Sequence, residues 1–485
     1  MESKDKKILF SHSYYYQLDQ KQWETGMPYP PLGTIQAAAY LRENSYQVSL
    51  FDVGLKEGPE EIKDILKESD SNVLVIYDDG FNYLTKMCLT NMREAAFKMI
   101  SYAKAKNCKV IVSSSDSTDH FELYHSKGAD VVLLGEGEET LLDVVNAYSN
   151  NKPVDDIKGI TYLRDKQVVN NGRRSVLREL DKLPIPAWDL VNVDAYKQIW
   201  RSKGNSFRLN IATTRGCPYK CNWCAKPIYG NRYNSRSPEH VVKEIKLIKE
   251  KFGVTSFWMC DDIFGLKPGW VQAFRDLLKE NNLKIAYKIQ SRADLLLKED
   301  NLQALVDSGL EEVWIGAESG SQKILDAMDK GITLEQIKES TQLLQEKGVR
   351  VAYFLQFGYL GETKQDVEAT IKMLHTNQPD DIGVSVSYPL PGTPFYDKVQ
   401  EQLKAKANWT DSDELALMFK NTFNSDFYKT LHRYVHKVFR NNQAKKYHKE
   451  KGIFNMEGAK QLLKRFYYTP LIILYRSRLN KLENK

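Results

Sequence analysis

The sequence predicts an α/β protein of several domains: a doubly wound parallel sheet, then a partial (β/α)6 barrel, then a small helical C-terminal region. Three observations predict it. At 485 residues the chain is too long for one ordinary domain. Short β-branched apolar runs alternate with helical patterns over 1–150 and again over 206–400. The stretch 151–205 between them is rich in turns and proline, and 401–485 is charged, with no strand repeats.

In the first block the strands are Ile8-Leu9-Phe10, Val48-Ser49-Leu50-Phe51, Val73-Leu74-Val75-Ile76, Val110-Ile111-Val112 and Val131-Val132-Leu133-Leu134. Helical patterns lie near 34–44, 59–68, 90–107, 118–127 and 138–149. Runs apolar on both faces, each followed by a helix, belong to a parallel sheet covered on both sides, a Rossmann-like arrangement. Ligands of such sheets sit at the carboxyl ends of the strands. Those ends carry Pro30-Pro31-Leu32-Gly33, Asp78-Asp79-Gly80, Ser113-Ser114-Ser115-Asp116 and Gly135-Glu136-Gly137-Glu138. In the linker, Gly159–Leu163, a polar turn and Val168-Val169 form a hairpin. Leu183-Pro184-Ile185-Pro186-Ala187-Trp188 is a proline-stiffened connector. Strands then start near 209, 255, 285, 311, 350 and 381, six β/α units with their site at the strand C-termini.

Composition narrows the function classes. Hydrophobic residues at 42% and charged residues at 27% exclude a disordered or collagen-like chain. Apolar runs such as Val73–Tyr77 and Leu471–Tyr475 fall far short of the roughly 20 residues of a membrane helix. The N-terminus, Met1-Glu2-Ser3-Lys4-Asp5-Lys6-Lys7, leads into only three apolar residues, so no signal peptide is expected. A cytoplasmic protein is expected, its six cysteines thiols or metal ligands. The net charge of +6 is uneven: residues 430–485 hold 14 Lys or Arg against 3 Asp or Glu, and the remainder 55 against 60. Basicity confined to the tail does not read as nucleic-acid binding.

The sharpest motif is Cys217-Pro218-Tyr219-Lys220-Cys221-Asn222-Trp223-Cys224, just after the strand Leu209–Thr213. Thiolates are soft ligands that suit zinc or iron–sulfur clusters. Structural zinc wants a fourth Cys or His at regular spacing, and none follows nearby. Three ligands on a cubane leave one iron open to an exogenous ligand, a catalytic arrangement. An incomplete zinc knuckle and three unrelated buried cysteines are the alternatives. Cys88, Cys108 and Cys260 have no partner spacing, and the last two read as small core residues.

The C-x3-C-x2-C triplet with Trp223 before its last cysteine resembles radical S-adenosylmethionine enzymes. The flanking Thr214-Arg215-Gly216 and Arg236-Ser237-Pro238-Glu239 resemble the subgroup with an N-terminal cobalamin-binding domain. Anaerobic magnesium-protoporphyrin ester cyclases and cobalamin-dependent methylases are typical members, and the resemblance covers about residues 1–400. It implies that Cys217, Cys221 and Cys224 hold three irons of a 4Fe–4S cluster, whose fourth iron chelates S-adenosylmethionine. One-electron reduction would then cleave the sulfonium to methionine and a 5′-deoxyadenosyl radical. It further implies that Asp261 and Asp262 hold the methionine ammonium and Arg292 its carboxylate. Glu318 and Ser319 would contact the ribose, and Gly358 would lie under the adenine. Read singly, these residues have ordinary alternatives: a helix N-cap, a surface ion pair, a first-turn carboxylate.

For the first domain, Pro31, Gly33, Gly135, Glu136 and Gly137 resemble the cobalamin-binding members. Ser113–Thr118 departs from their Gly-Gly-x-His stretch, leaving the hydroxyls of Ser114 and Ser115 for a corrin amide or the nucleotide tail. No D-x-H-x-x-G segment supplies a lower axial histidine. The expected function is an oxygen-sensitive radical S-adenosylmethionine enzyme that methylates an unactivated carbon of a biosynthetic small molecule or lipid, with cobalamin as a further cofactor. A flavodoxin- or ferredoxin-type reductase would supply electrons. A cyclase-type radical rearrangement is the alternative within enzymes, and an iron–sulfur electron-transfer or sensor protein is the alternative outside them. Methylthiotransferases carry an extra N-terminal cysteine cluster, whereas here only Cys88 and Cys108 precede the triplet. Finally, Lys460, Lys464 and Arg465 beside Phe466-Tyr467-Tyr468 and Leu471-Ile472-Ile473-Leu474 predict peripheral contact with an anionic membrane, against a solvated helix closing the barrel.

Overall fold

The computed structural model describes residues 7–226, 228–403 and 408–483. It is a mixed α/β fold with parallel sheets, divided into two compact units. The first comprises Met1–Tyr219, Ala225–Tyr287 and Asn408–Glu414; the second comprises Lys220–Cys224, Lys288–Ala407 and Leu415–Lys485.

In the first unit β1 (Lys7–Ser11), β2 (Gln47–Phe51), β3 (Val73–Tyr77), β4 (Lys109–Ser113) and β5 (Val131–Leu133) are parallel, in the order β2-β1-β3-β4-β5. Every residue of β3 is buried, which is why Val73-Leu74-Val75-Ile76-Tyr77 carries no polar alternation. β2 lies at the edge, and exposed Gln47 and Ser49 alternate with half-buried Val48 and Leu50. Helices Leu32–Glu43 and Glu138–Ser149 bring Ala37, Ala38, Leu41, Leu141 and Val144 onto one core with Ile8, Val75 and Ile111. The order reverses between β1 and β3, and such a switch point opens a crevice at the strand ends.

The expected hairpin is present, and it extends this sheet. β6 (Ile160–Arg164) pairs antiparallel with β5, and β7 (Gln167–Asn170) pairs with β6. Its two-residue turn, Asp165-Lys166, has φ of 50° and 64°, the left-handed pair that matches strand twist in a tight hairpin.

β8 (Leu209–Ile211), β9 (Thr214–Arg215), β10 (Asn234–Ser235) and β11 (Ser256–Met259) complete the first unit, with β8 and β11 parallel. β12 (Ala286–Ser291) crosses the unit boundary. In the second unit β13 (Leu310–Glu318), β14 (Arg350–Phe357) and β15 (Asp381–Val386) are parallel neighbours. Helices Leu334–Glu346 and Lys364–Asn377 connect them, and each starts at a threonine capping box, Thr333 and Thr363. Two 27-residue helices, Ser425–Lys451 and Met456–Leu482, form an antiparallel pair at the C-terminus. Among the described residues no helix is long and apolar enough to cross a membrane.

Candidate active site

The cysteine loop is gripped by a two-rung ladder. β9 and β10 pair antiparallel, Arg215 opposite Asn234 and Thr214 opposite Ser235, so residues 216–233 project from one stem. Gly216 starts the loop at φ 77°, where a Cβ would stand 2.1 Å from the Arg232 carbonyl oxygen. Only glycine fits there. The other end is fixed by Arg236, which donates to the Ala212 carbonyl at 2.9 Å and pairs with buried Glu244 at 2.6 Å. Ser237 caps the helix Pro238–Phe252 by accepting from the His240 N–H, with proline at the first helical position.

Asp261 ends β11 and faces the end of β8. One carboxylate oxygen accepts from the N–H groups of Thr213 at 2.7 Å and Thr214 at 2.9 Å, and the other from the Thr213 hydroxyl. Burial pushes its carboxyl up to about 6 in spite of those bonds. Asp262 pairs with Lys86 at 2.6 Å. In this structure both acids of the motif are engaged by the protein, Asp261 as the brace of the strand that leads into the cysteine loop.

Arg215 is a buried node that the sequence reading did not single out. Its guanidinium donates to Glu136 at 2.5 Å and to Glu138 at 2.6 Å. It also lies 5.0 Å from the Tyr229 ring centre and 5.8 Å from that of Phe81. Burial raises the Glu136 pKa, with Arg215 pulling the other way. The signal was an Arg beside the triplet and two Glu in the Gly135–Glu138 run, but nothing in their spacing joined them.

Other residues predicted at the strand ends of the first sheet cluster there with specific partners. Pro31 caps helix Leu32–Glu43, and Gly33 donates its N–H to Asp79 at 3.1 Å. Ser114 caps the short helix Ser115–Asp119 through the Ser117 N–H, and Ser115 is buried in its first turn. Gly135 has φ 85°, and a Cβ on Gly137 would press within 2.8 Å of the Tyr77 ring. Asp116 is tied to Arg93 through two bonds, at 2.7 and 2.5 Å. His12, at the end of β1, bonds to Asp52 at 3.0 Å.

In the second unit the middle of the loop is pinned by buried Asn222. Its N–H donates to the Met328 carbonyl at 3.1 Å, its amide to the Ala327 carbonyl at 2.7 Å and to Asp329 at 2.8 Å, and its oxygen accepts from Tyr359 at 2.6 Å. Trp223 packs beside Ile324, Met328 and Phe395. Lys330 is the second residue the sequence reading missed, because it sits in a loop with no motif. Its ammonium donates to Glu318 at 2.8 Å and lies 5.9 Å from the Trp223 ring centre. Burial opposes its charge, but Glu318 and then Cys221 outweigh that, and its pKa is raised. Glu318 has φ 54° beside a bulge in β13, an uncommon conformation for a non-glycine residue. Arg292 donates to the carbonyls of Lys330 at 2.8 Å and Gly331 at 3.0 Å and to Asp294 at 2.9 Å, so it shapes the Lys330 loop. Ser319 is buried against Thr370, and Gly358, at φ 79°, donates to Glu362 at 2.7 Å.

Cys217, Cys221 and Cys224 are all half-buried, while Asn222 between them is buried. Among the described residues no three His, Cys, Asp or Glu side chains are drawn together closely enough to hold a metal ion. Three soft donors on one loop nevertheless have the chemistry of an iron–sulfur ligand set. Among the described residues the buried indole N–H of Trp223 has no hydrogen-bond partner. In the first turn of the helix Glu138–Ser149, Glu138 Oε2 and the Thr140 hydroxyl are likewise buried with no hydrogen-bond partner among the described residues.

Residues 211–374 match the radical SAM superfamily model. Residues 211–374 therefore form a radical S-adenosylmethionine domain and the chain is an enzyme; a domain of this kind implies a 4Fe–4S cluster and S-adenosylmethionine. Among its relatives is an uncharacterized methyltransferase of Pyrococcus horikoshii, 28% identical over 388 residues, 78% of this chain and 81% of that protein. An anaerobic magnesium-protoporphyrin IX monomethyl ester cyclase of Cereibacter sphaeroides is 28% identical over 282 residues, 57% of this chain and 45% of the cyclase. The chain therefore spans under half of that cyclase. The cobalamin-dependent S-adenosylmethionine radical enzyme OxsB, with aqua-cobalamin bound, has the same fold at 17% identity and a TM-score of 0.73, covering 99% of this chain and 76% of OxsB.

Proposed function

We propose that the protein is a cobalamin-dependent radical S-adenosylmethionine methyltransferase acting on an unactivated carbon of a small molecule, built from a Rossmann-like domain followed along the chain by a partial (β/α)6 barrel. The observation that carries the reading is the cysteine loop: three half-buried thiols on a loop braced by a two-rung ladder and by Asn222, inside a radical SAM domain. When bound, the cluster, S-adenosylmethionine and cobalamin supply one-electron cleavage of the sulfonium and a transferable methyl group.

The residues divide the work. Cys217, Cys221 and Cys224 hold the cluster, and Trp223 offers its indole N–H beside them. Arg292, Glu318, Ser319 and Gly358 receive S-adenosylmethionine, with Glu318 exchanging its Lys330 partner for a ribose hydroxyl. Asp261 holds the strand end that aims the loop, and Asp262 takes the amine in exchange for Lys86. At the first sheet, the loops with Pro31, Gly33, Ser114, Ser115 and Gly135–Gly137 receive the corrinoid. The unpartnered Glu138 and Thr140 oxygens supply hydrogen-bonding capacity there. His12 at the end of β1 is held by Asp52, and with no D-x-H-x-x-G segment no histidine of this chain would be placed to hold a corrinoid from below. The expected electron donor is a flavodoxin or ferredoxin.

Anaerobic reconstitution tests this reading. About four irons per chain, reductive cleavage of S-adenosylmethionine and retention of about one hydroxocobalamin are expected. Reduced cobalt should show no nitrogen superhyperfine splitting in its electron paramagnetic resonance. Cleavage with cobalamin retention near zero overturns the cobalamin part and favours a radical enzyme without that cofactor. Cleavage that survives in Cys221→Ala overturns the cluster assignment.

A further inference from the structure

The C-terminal helix Met456–Leu482 buries only Gly458 and Leu479. One side faces the helix Ser425–Lys451 through half-buried Leu462, Tyr468, Leu471, Ile472 and Tyr475. The other side should then be polar, as on an ordinary surface helix. It is not. Leu463 (69% exposed), Phe466 (71%), Tyr467 (60%), Ile473 (66%) and Leu474 (61%) recur at helical spacing along it. The turn before the helix adds Phe454, 98% exposed, and the first helical residue, Met456, is 80% exposed. Exposed apolar residues scattered singly need no explanation, but a continuous stripe with an aromatic at its tip does.

The charges around the stripe identify what covers it. Lys464, Arg476, Arg478 and Lys481 are exposed on or beside the stripe, and among the described residues none has a carboxylate partner within 4 Å; Lys460 reaches Glu457 at 3.8 Å. Residues 430–485 as a whole carry 14 basic and 3 acidic side chains. A protein partner or a second copy of this cationic face would need a matching acidic surface, and this face is not self-complementary in charge. An apolar stripe rimmed by cations fits the acyl–headgroup boundary of an anionic bilayer, where rings and aliphatic chains enter and ammonium and guanidinium groups meet phosphates. At 1.5 Å per residue the helix is about 40 Å long.

We propose that the outer face of Met456–Leu482, with the Ile453-Phe454 tip, docks on anionic phospholipid membranes. The reaction need not be the one proposed above for this surface to act. The test is cosedimentation of the reconstituted full chain with vesicles of phosphatidylcholine alone or with phosphatidylglycerol. Binding to the anionic vesicles only, falling at least about tenfold between low and high salt, is expected. Two surface variants should each abolish it with circular dichroism and iron content unchanged. They are Phe454→Ser/Phe466→Ser/Ile473→Ser, and Lys464→Gln/Arg476→Gln/Arg478→Gln. Equal binding to neutral vesicles, or wild-type binding by both variants, overturns the proposal. So does a wild-type dimer that the apolar variant converts to monomer while vesicles bind neither form, because a second copy then covers the stripe.

Discussion

Replacing Arg215 by Met tests whether the buried node behind the cysteine loop is held by charge. Arg215, Glu136 and Glu138 are each 5% exposed or less at the side chain, and the two bonds are 2.5 and 2.6 Å. Methionine fills most of the space but strands two carboxylates out of water. Removing one partner of a buried ion pair costs about 3–5 kcal/mol, and here two acids lose the same partner. The loss should depend on pH in one direction. In the variant the folded-state pKa of both acids lies above the unfolded value of about 4.3, so the folded form holds extra protons. The added destabilisation is then absent below about pH 4 and grows as pH rises through the raised folded pKa. Urea unfolding of Arg215→Met from pH 5 to pH 8 should show a deficit that widens toward pH 8. Arg215→Met with Glu136→Gln and Glu138→Gln should recover most of it, since no buried charge remains. Iron content should fall in the single variant, because Arg215 is two residues from Cys217 in the stem. A deficit below about 1 kcal/mol at pH 8, or one that does not change with pH, refutes the reasoning.

Glu362, with burial pushing its carboxyl up to about 8, is neutral at pH 7 in the folded chain. Glu362→Gln should therefore stabilise by about 3 kcal/mol at pH 7 and by almost nothing near pH 4.5, measured by urea titration; equal effects at both pH values contradict it. Gly216→Ala should cut cluster content severalfold while leaving the circular dichroism spectrum intact, because its Cβ collides with the Arg232 carbonyl rather than with a core. Lys330→Met leaves Glu318 buried without its cation, so S-adenosylmethionine affinity should change with pH in the variant and hold steady in wild type over the same range, as followed by calorimetry.

The order of strands and helices was legible because buried parallel strands are apolar on both faces, and Val73–Tyr77 and Val110–Val112 need no partner to declare themselves. Edge status was less so: Gln47 and Ser49 break the pattern of β2 only because one of its sides faces water. The hairpin at Asp165-Lys166 was visible, but its antiparallel addition to β5 depends on a partner strand remote in sequence. Within the candidate site, the cysteine triplet was legible by its spacing. The partners of Arg215, Asp261 and Lys330 were not, because ion pairs and carboxylate–backbone bonds across tens of residues leave no periodic trace. The bonds that Asp261 accepts from the Thr213 and Thr214 N–H groups are of that kind.

The two-rung ladder between β9 and β10 also bears on the order of assembly. Closing a flexible loop the length of 216–233 costs about 2.5 kcal/mol of chain entropy, and the ladder meets that cost whether or not iron is present. With the middle of the loop already pinned by Asn222, insertion of a cluster then has only to order the thiol rotamers. The polypeptide can therefore mature before its inorganic cargo arrives, and a scaffold or carrier protein would meet a receptive mouth rather than an unfolded strand.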